Sequence, residues 1–137
     1  MGLEQYVIWS EIDSLIELLS NFILKSKKEF SSISTLSRGG LIPSRLLADY
    51  LGIEKIFVDE KIISSNSIFV DDIFDSGKTF DKIISISEDP SKLLYVTLFA
   101  RRGKKFPPQL IYGKETDNDA YVVFPWDKIE FEMSQKK

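Results

Sequence analysis

The sequence predicts an α/β protein, a mostly parallel sheet flanked by helices, in one domain spanning residues 1–137. Three observations carry that expectation. Helical apolar patterns alternate with short β-rich runs. Glycine turns stand between a run and the helix that follows it. One run, Ile68 to Val70, leads directly into Asp71-Asp72 and the turn Asp75-Ser76-Gly77-Lys78-Thr79.

The elements follow in order. From Ser10 to Lys28, Ile12, Leu15, Ile16, Leu19, Phe22 and Ile23 recur at helical spacing, with Ser10 as N-cap and Asp13 three residues on. Phe30 to Leu36 alternates apolar and small polar residues like a strand. The turn Ser37-Arg38-Gly39-Gly40 then opens a helix with Pro43 at its start and Gly52 just past its end. Ile56 to Val58 and Ile68 to Val70 read as short strands joined by a small polar connection, about Asp59 to Ser67, and the second ends on the acidic pair. A helix through Phe80, Ile83 and Ile84 and a strand from Leu93 to Ala100 come next, closed by Arg101-Arg102. Past Pro107-Pro108, short strands fall at Leu110 to Tyr112 and Tyr121 to Phe124, and Ser134 to Lys137 reads as a solvated tail.

Composition excludes several kinds of chemistry. Cysteine and histidine are both absent, which removes disulfides, thiolate and imidazole metal sites, thiol nucleophiles and any Ser-His-Asp relay. Acid-base work falls to Asp, Glu, Lys or Tyr, and a metal would be a hard ion on oxygen, which points to Mg²⁺. With a net charge of -3, nothing global favours nucleic acid or an anionic membrane. The longest uncharged stretch, Ile62 to Val70, is far short of a membrane span, and Met1-Gly2 lacks a myristoylation context because Tyr6 stands where Ser or Thr is needed. A soluble, cytoplasmic protein is expected.

The segment Ile68 to Thr79 carries the most chemistry. In open α/β sheets ligands bind beyond the carboxyl ends of strands, and a turn entering a helix offers free N–H groups to an anion. Gly77 lets the backbone approach closely, Ser76 and Thr79 add hydroxyls, and a phosphate monoester suits that cradle. Carboxylates beside it would repel a naked phosphate, so they call for a cation or for neutral hydroxyls such as a ribose diol. Phosphate, diol and Mg²⁺ together describe a phosphorylated sugar. The run is not a Walker loop, because Asp72 stands where that pattern needs glycine.

Val70-Asp71-Asp72 through Asp75-Ser76-Gly77-Lys78-Thr79 resembles the phosphoribosyl pyrophosphate motif of type I phosphoribosyltransferases. Ser37 to Pro43, Leu46-Leu47-Ala48 and Leu51-Gly52-Ile53 resemble the pyrophosphate loop and following helix of the bacterial xanthine-guanine (6-oxopurine) branch. Val96 to Ala100 and Asp119 to Asp127 resemble that branch too, so the likeness runs from about Tyr6 to about Phe131.

The resemblance implies roles residue by residue. Asp71 and Asp72 fall on the acidic pair that handles the ribose hydroxyls and Mg²⁺. Asp75 falls on the carboxylate that faces purine N7 and serves as the acid-base group, and Asp75, Ser76, Gly77, Lys78 and Thr79 on the 5'-phosphate cradle. Ser37, Arg38 and Gly39 fall on the pyrophosphate loop, where relatives have a cis peptide at the place of Ser37-Arg38. Tyr121 takes the place of an aromatic that stacks on the purine, and the Val122 backbone that of the group meeting its 2-position edge. Arg101 stands where the family has a lysine donating to the purine 6-oxo group; a guanidinium still donates but is planar and longer. The mobile loop that closes over the site in the family is reduced here to about 59–67, and the hood is reduced with it.

The implied function is purine salvage: transfer of 5-phosphoribosyl from phosphoribosyl pyrophosphate to guanine, xanthine or hypoxanthine, by a dimer or tetramer. The alternative is a non-catalytic sensor of nucleotide or phosphoribosyl pyrophosphate on the same fold, motivated by the short loop. A response-regulator receiver would also use an acidic pair, but it needs a phosphoacceptor Asp on a later strand, and Leu93 to Ala100 has none.

Overall fold

The computed structural model describes residues 3–136. Met1-Gly2, the dipeptide weighed above for myristoylation, and Lys137 lie outside the described residues. In chain order the elements are β1 (Glu4–Tyr6), α1 (Trp9–Lys25), β2 (Ser32–Thr35), α2 (Leu41–Leu51), β3 (Lys55–Val58), β4 (Ser67–Phe74), α3 (Lys78–Ser85), β5 (Leu94–Ala100), β6 (Leu110–Glu115), β7 (Tyr121–Val123) and α4 (Lys128–Gln135), with short 3₁₀ turns at Pro90–Lys92 and Pro125–Asp127.

Five strands form one parallel sheet in the order β3-β2-β4-β5-β6. The alternation read from the sequence therefore gives the expected class. Helices cover both faces. Ile12, Leu15, Ile16 and Leu19 of α1 and Leu47 and Ala48 of α2 pack with Ile33, Ile68, Val70 and Val96 on one face, while Phe80 and Ile83 of α3 pack with Phe69 and Tyr95 on the other. Ile68 and Val70 against Phe69 show the two-residue period of a strand buried on both sides. Farther along β4, Ile73 joins the first cluster and Phe74 the second, so the period breaks at the acidic pair between them.

Several boundaries differ from expectation. Helix α1 begins at Trp9 with Ile8 as an extended N-cap and no side-chain cap, so Ser10 lies inside it. Packing decides this start: the Trp9 ring sits 5.8 Å from that of Trp126. The same helix stops at Lys25, short of Lys28, because Lys27 turns left-handed at φ 59°. Strand β4 continues through the acidic pair to Phe74, since its ladder with β5 runs to Ala100 and shelters the carboxylates. The C-terminal stretch read as a tail is helical through Gln135. Gly40 and Gly52 bound α2 as expected, Gly52 in the left-handed conformation at φ 69°.

A second, two-stranded parallel sheet pairs β1 with β7 and forms the small hood. The short β3–β4 connection returns from the carboxyl end of β3 to the amino end of β4 across β2. It is anchored on the way: Ile63 is buried, its N–H donates to the Ile86 carbonyl at 3.0 Å, and its own carbonyl accepts from Glu88 N–H at 2.9 Å. Among the described residues no helix is long and apolar enough to cross a membrane.

Candidate functional site

Strand order reverses between β2 and β4, which both lie in the sheet's centre with their next strands on opposite sides. Loops leaving such neighbours diverge, and the crevice between them is where open α/β sheets take ligands. A cleft of about 320 Å³ lies there, between the 36–39 segment after β2 and the 71–77 segment of β4 and its turn, with Tyr95 and Phe80 also in its walls.

The two segments approach closely because both turn residues are glycine. A Cβ on Gly39 would overlap the Asp71 carboxylate, and one on Gly40 would overlap the Val70 carbonyl and the Thr35 hydroxyl. Thr35 donates that hydroxyl to the Val70 carbonyl at 2.6 Å, locking the ends of β2 and β4 together. Gly77, at φ 89°, supplies the left-handed residue that turns β4 into α3. Lys78 N–H donates to Ser76 Oγ at 3.3 Å, so the turn 75–79 wraps the start of α3 as the sequence predicts.

Asp71 is nearly buried, at 6% exposure. Its Oδ2 accepts from the Tyr95 hydroxyl at 3.0 Å and its Oδ1 from Asp72 N–H at 2.9 Å. Asp72 Oδ1 in turn accepts from Ile73 N–H at 2.8 Å. Burial, and then the neighbouring Asp71 charge, push the Asp72 carboxyl from its usual 3.8 up to about 8. Burial and the Asp71 charge likewise raise the Tyr95 phenol, which therefore stays a donor. Sequence reading missed Tyr95; its signal was the one tyrosine of the strand Leu94–Ala100, a ring with a polar tip whose hydroxyl needs a buried partner.

Two adjacent carboxylates, one already disfavoured as an anion, fit a divalent cation. Among the described residues no cluster of three or more Asp, Glu, His or Cys is placed to hold a metal. Mg²⁺ is commonly held by one or two carboxylates with substrate oxygens completing its shell, so the pair fits a metal that arrives with its ligand.

Asp75 stands at the cleft's edge with its side chain 56% exposed, paired with an Arg101 side chain that is only 11% exposed. Arg101 Nε donates to Asp75 Oδ1 at 3.0 Å and Nη2 to Oδ2 at 3.4 Å, while Nη1 donates to the carbonyls of Asn118 at 3.1 Å and Ala120 at 2.8 Å. The guanidinium thus ties the 75–79 turn to the segment entering β7, leaving one of its five N–H groups for a ligand. Its neighbour Arg102 donates to the Thr116 carbonyl at 2.8 Å, whereas Lys104 and Lys105 are exposed.

Tyr121 and Val122 lie on the hood. Tyr121 is 60% exposed, and its ring stacks on Phe131 of α4 at 5.7 Å and 22°. Tyr121 N–H donates to the Leu3 carbonyl, and the Val123 carbonyl accepts from Val7 N–H. In a parallel ladder alternate residues face one neighbour, so the Val122 N–H and carbonyl point out of the free edge of β7. On the β2 side Arg38 and Gly39 line the cleft, and Ser37 lines a smaller neighbouring hollow with them; Tyr121 and Val122 are not among the residues lining the cleft. The Ser37-Arg38 peptide is trans, like every peptide bond described, so the cis geometry expected there is not found. The trans form is the lower by about 3 kcal/mol, and Ser37 N–H already has an acceptor in it, Asp59 Oδ1 at 3.0 Å. Arg38 itself is almost fully exposed, 3.9 Å from Glu130. Asp59, Glu130 and Phe131 were not singled out from sequence.

A switch-point cleft, an acidic pair before a glycine turn and a small hood beside the sheet together define the type I phosphoribosyltransferase fold, which this chain has. Xanthine-guanine-hypoxanthine phosphoribosyltransferase of Helicobacter pylori superposes with a TM-score of 0.76 at 14% identity, over 98% of this chain and 99% of that one. Purine phosphoribosyltransferase of Pyrococcus horikoshii gives 0.70 at 22% identity, over 90% and 93%. In sequence the chain is similar to xanthine-guanine phosphoribosyltransferase of Gluconobacter oxydans, 28% identical over 144 residues that cover 88% of this chain and 83% of the relative. No protein-family profile matches the chain.

Proposed function

We propose that the protein is a purine-salvage transferase that moves 5-phosphoribosyl from phosphoribosyl pyrophosphate to guanine, xanthine or hypoxanthine. The observation that carries this reading is the placement of the Asp71-Asp72 pair and the Gly77 turn in one switch-point cleft, facing Arg38 and Gly39 across it. Sequence similarity to a xanthine-guanine phosphoribosyltransferase supports it.

The chain's own residues divide the work. The turn Asp75 to Thr79 receives the 5'-phosphate on backbone N–H groups and hydroxyls at the start of α3, where the helix dipole favours an anion. Asp71 and Asp72 face the ribose hydroxyls and would hold Mg²⁺, which when bound neutralises charge on the pyrophosphate. The loop of Ser37, Arg38 and Gly39 receives the leaving pyrophosphate, with Arg38 as its donor. The bond from the anomeric carbon to the pyrophosphate oxygen breaks with its electron pair on the oxygen, a purine ring nitrogen bonds to that carbon, and the proton lost by the ring goes to Asp75. Tyr121 provides a face for the base, the outward Val122 backbone meets its edge, and the remaining Arg101 N–H is a donor for a 6-oxo acceptor.

The reading includes a cytoplasmic homo-oligomer, a dimer or tetramer. Leu18 and Phe22, exposed one turn apart on α1, supply apolar surface for subunit contact. The deciding assay follows pyrophosphate release from phosphoribosyl pyrophosphate and Mg²⁺ with each 6-oxopurine. Stoichiometric nucleoside monophosphate is the expected product. Tight binding of both substrates with no release would replace the transferase by a sensor of the same ligands.

A further inference from the structure

We infer that Asp59 is a positioning residue for the anion-binding loop, holding Ser37 to Gly39 in the shape that receives pyrophosphate; this rests on the transferase reading above. Asp59 follows β3, one strand over from the loop. Its backbone N–H donates to the Thr35 carbonyl at 3.0 Å, at the very end of β2, and its carboxylate accepts from Ser37 N–H at 3.0 Å, just past that end. One residue therefore grips the β2 terminus and the first amide of the loop together. The grip requires a left-handed backbone, φ 57°, which Asp tolerates better than most residues. An uncommon conformation kept at a site edge is expected where it places a functional group.

The hydrogen bonds decide which loop donors remain. Ser37 N–H is committed to Asp59, and Gly39 N–H to the Leu36 carbonyl at 3.2 Å. That leaves Arg38, with its guanidinium and a backbone N–H that has no acceptor among the described residues, as the loop's contribution to a bound anion. Asp59 thus spends its charge on an amide rather than projecting it at the pyrophosphate. The Ser37 hydrogen bonds hold the Asp59 carboxyl below its usual range, so it stays an acceptor through neutral pH. Asp59 also opens the short connection to β4, so that connection anchors the loop from its first residue.

The test compares wild type with Asp59→Ala and Asp59→Asn. For Asp59→Ala, KM for phosphoribosyl pyrophosphate should rise about tenfold, the scale of one hydrogen bond to a charged acceptor. Calorimetric affinity for guanosine 5'-monophosphate, which has no pyrophosphate, should stay within about twofold of wild type. Asp59→Asn keeps an acceptor oxygen and should restore KM to the wild-type range or below it. An unchanged KM in Asp59→Ala overturns the inference, as does an equal loss of monophosphate affinity or a failure of Asn to rescue. If wild type itself shows no turnover in the KM assay, or binds no phosphoribosyl pyrophosphate in a parallel calorimetric titration, the transferase reading falls, and the inference falls with it for that separate reason.

Discussion

Replacing Arg101 by Ala removes a side chain that joins the 75–79 turn to the segment entering β7. The guanidinium makes two hydrogen bonds to main-chain carbonyls, those of Asn118 and Ala120, and a two-point pair with Asp75. Each carbonyl bond from a charged, mostly buried donor is worth about 1.5 kcal/mol, and a pair whose carboxylate is half exposed adds at most about 1 kcal/mol. The expected loss is therefore about 3–4 kcal/mol in urea unfolding, with Arg101→Lys losing roughly half of that because it keeps charge but not the fork. The same truncation removes the donor set that favours a 6-oxo acceptor and opposes the adenine amino group. Preference for guanine over adenine should fall by about 5- to 150-fold, the scale of one unpaired polar group. Stability within about 0.5 kcal/mol of wild type, together with an unaltered base preference, would refute the role given to Arg101.

Asp75→Asn should lower turnover by about 100-fold to 10,000-fold while calorimetric binding of phosphoribosyl pyrophosphate stays near wild type, since the amide keeps the shape but cannot take the ring proton. Burial and the Asp71 charge push the Asp72 carboxyl from 3.8 up to about 8 on folding, so between those values the folded protein holds the extra proton and stability falls as pH rises. Without Mg²⁺, wild type should lose stability from pH 5 to pH 8 and Asp72→Asn should lose less; parallel melting profiles would contradict this.

Much of the site was legible because its signals are local. The acidic pair, the Gly77 turn and the Ser37 to Gly40 turn are short strings whose residue types dictate backbone shape, and the acidic pair, Gly77, Arg38 and Gly39 all line one cleft. Contacts distant in sequence were not legible. Strand β1 is three residues long and exists through pairing with β7, over a hundred positions away, so no periodicity announces it. Asp71-Asp72 reads as a strand end because Asp is a poor strand former, yet neighbouring β5 and the Tyr95 hydroxyl carry β4 past it. The resemblance gives Arg101 as a donor toward a base, while its ties to Asn118 and Ala120 depend on how the chain folds back before β7, which no spacing reveals.

In the proposed transferase, the turn beginning α3, beside the acidic pair, binds the phosphate of a phosphorylated ribose. Calorimetric titration of guanosine 5'-monophosphate into wild type and Gly77→Val tests it most directly. Gly77 sits at φ 89°, where a β-branched residue is strained, and its amide belongs to the proposed cradle. One-to-one binding to wild type and its loss in Gly77→Val are expected, with circular dichroism confirming that the variant is folded. Absence of binding to wild type, or equal affinity in the folded variant, would contradict it.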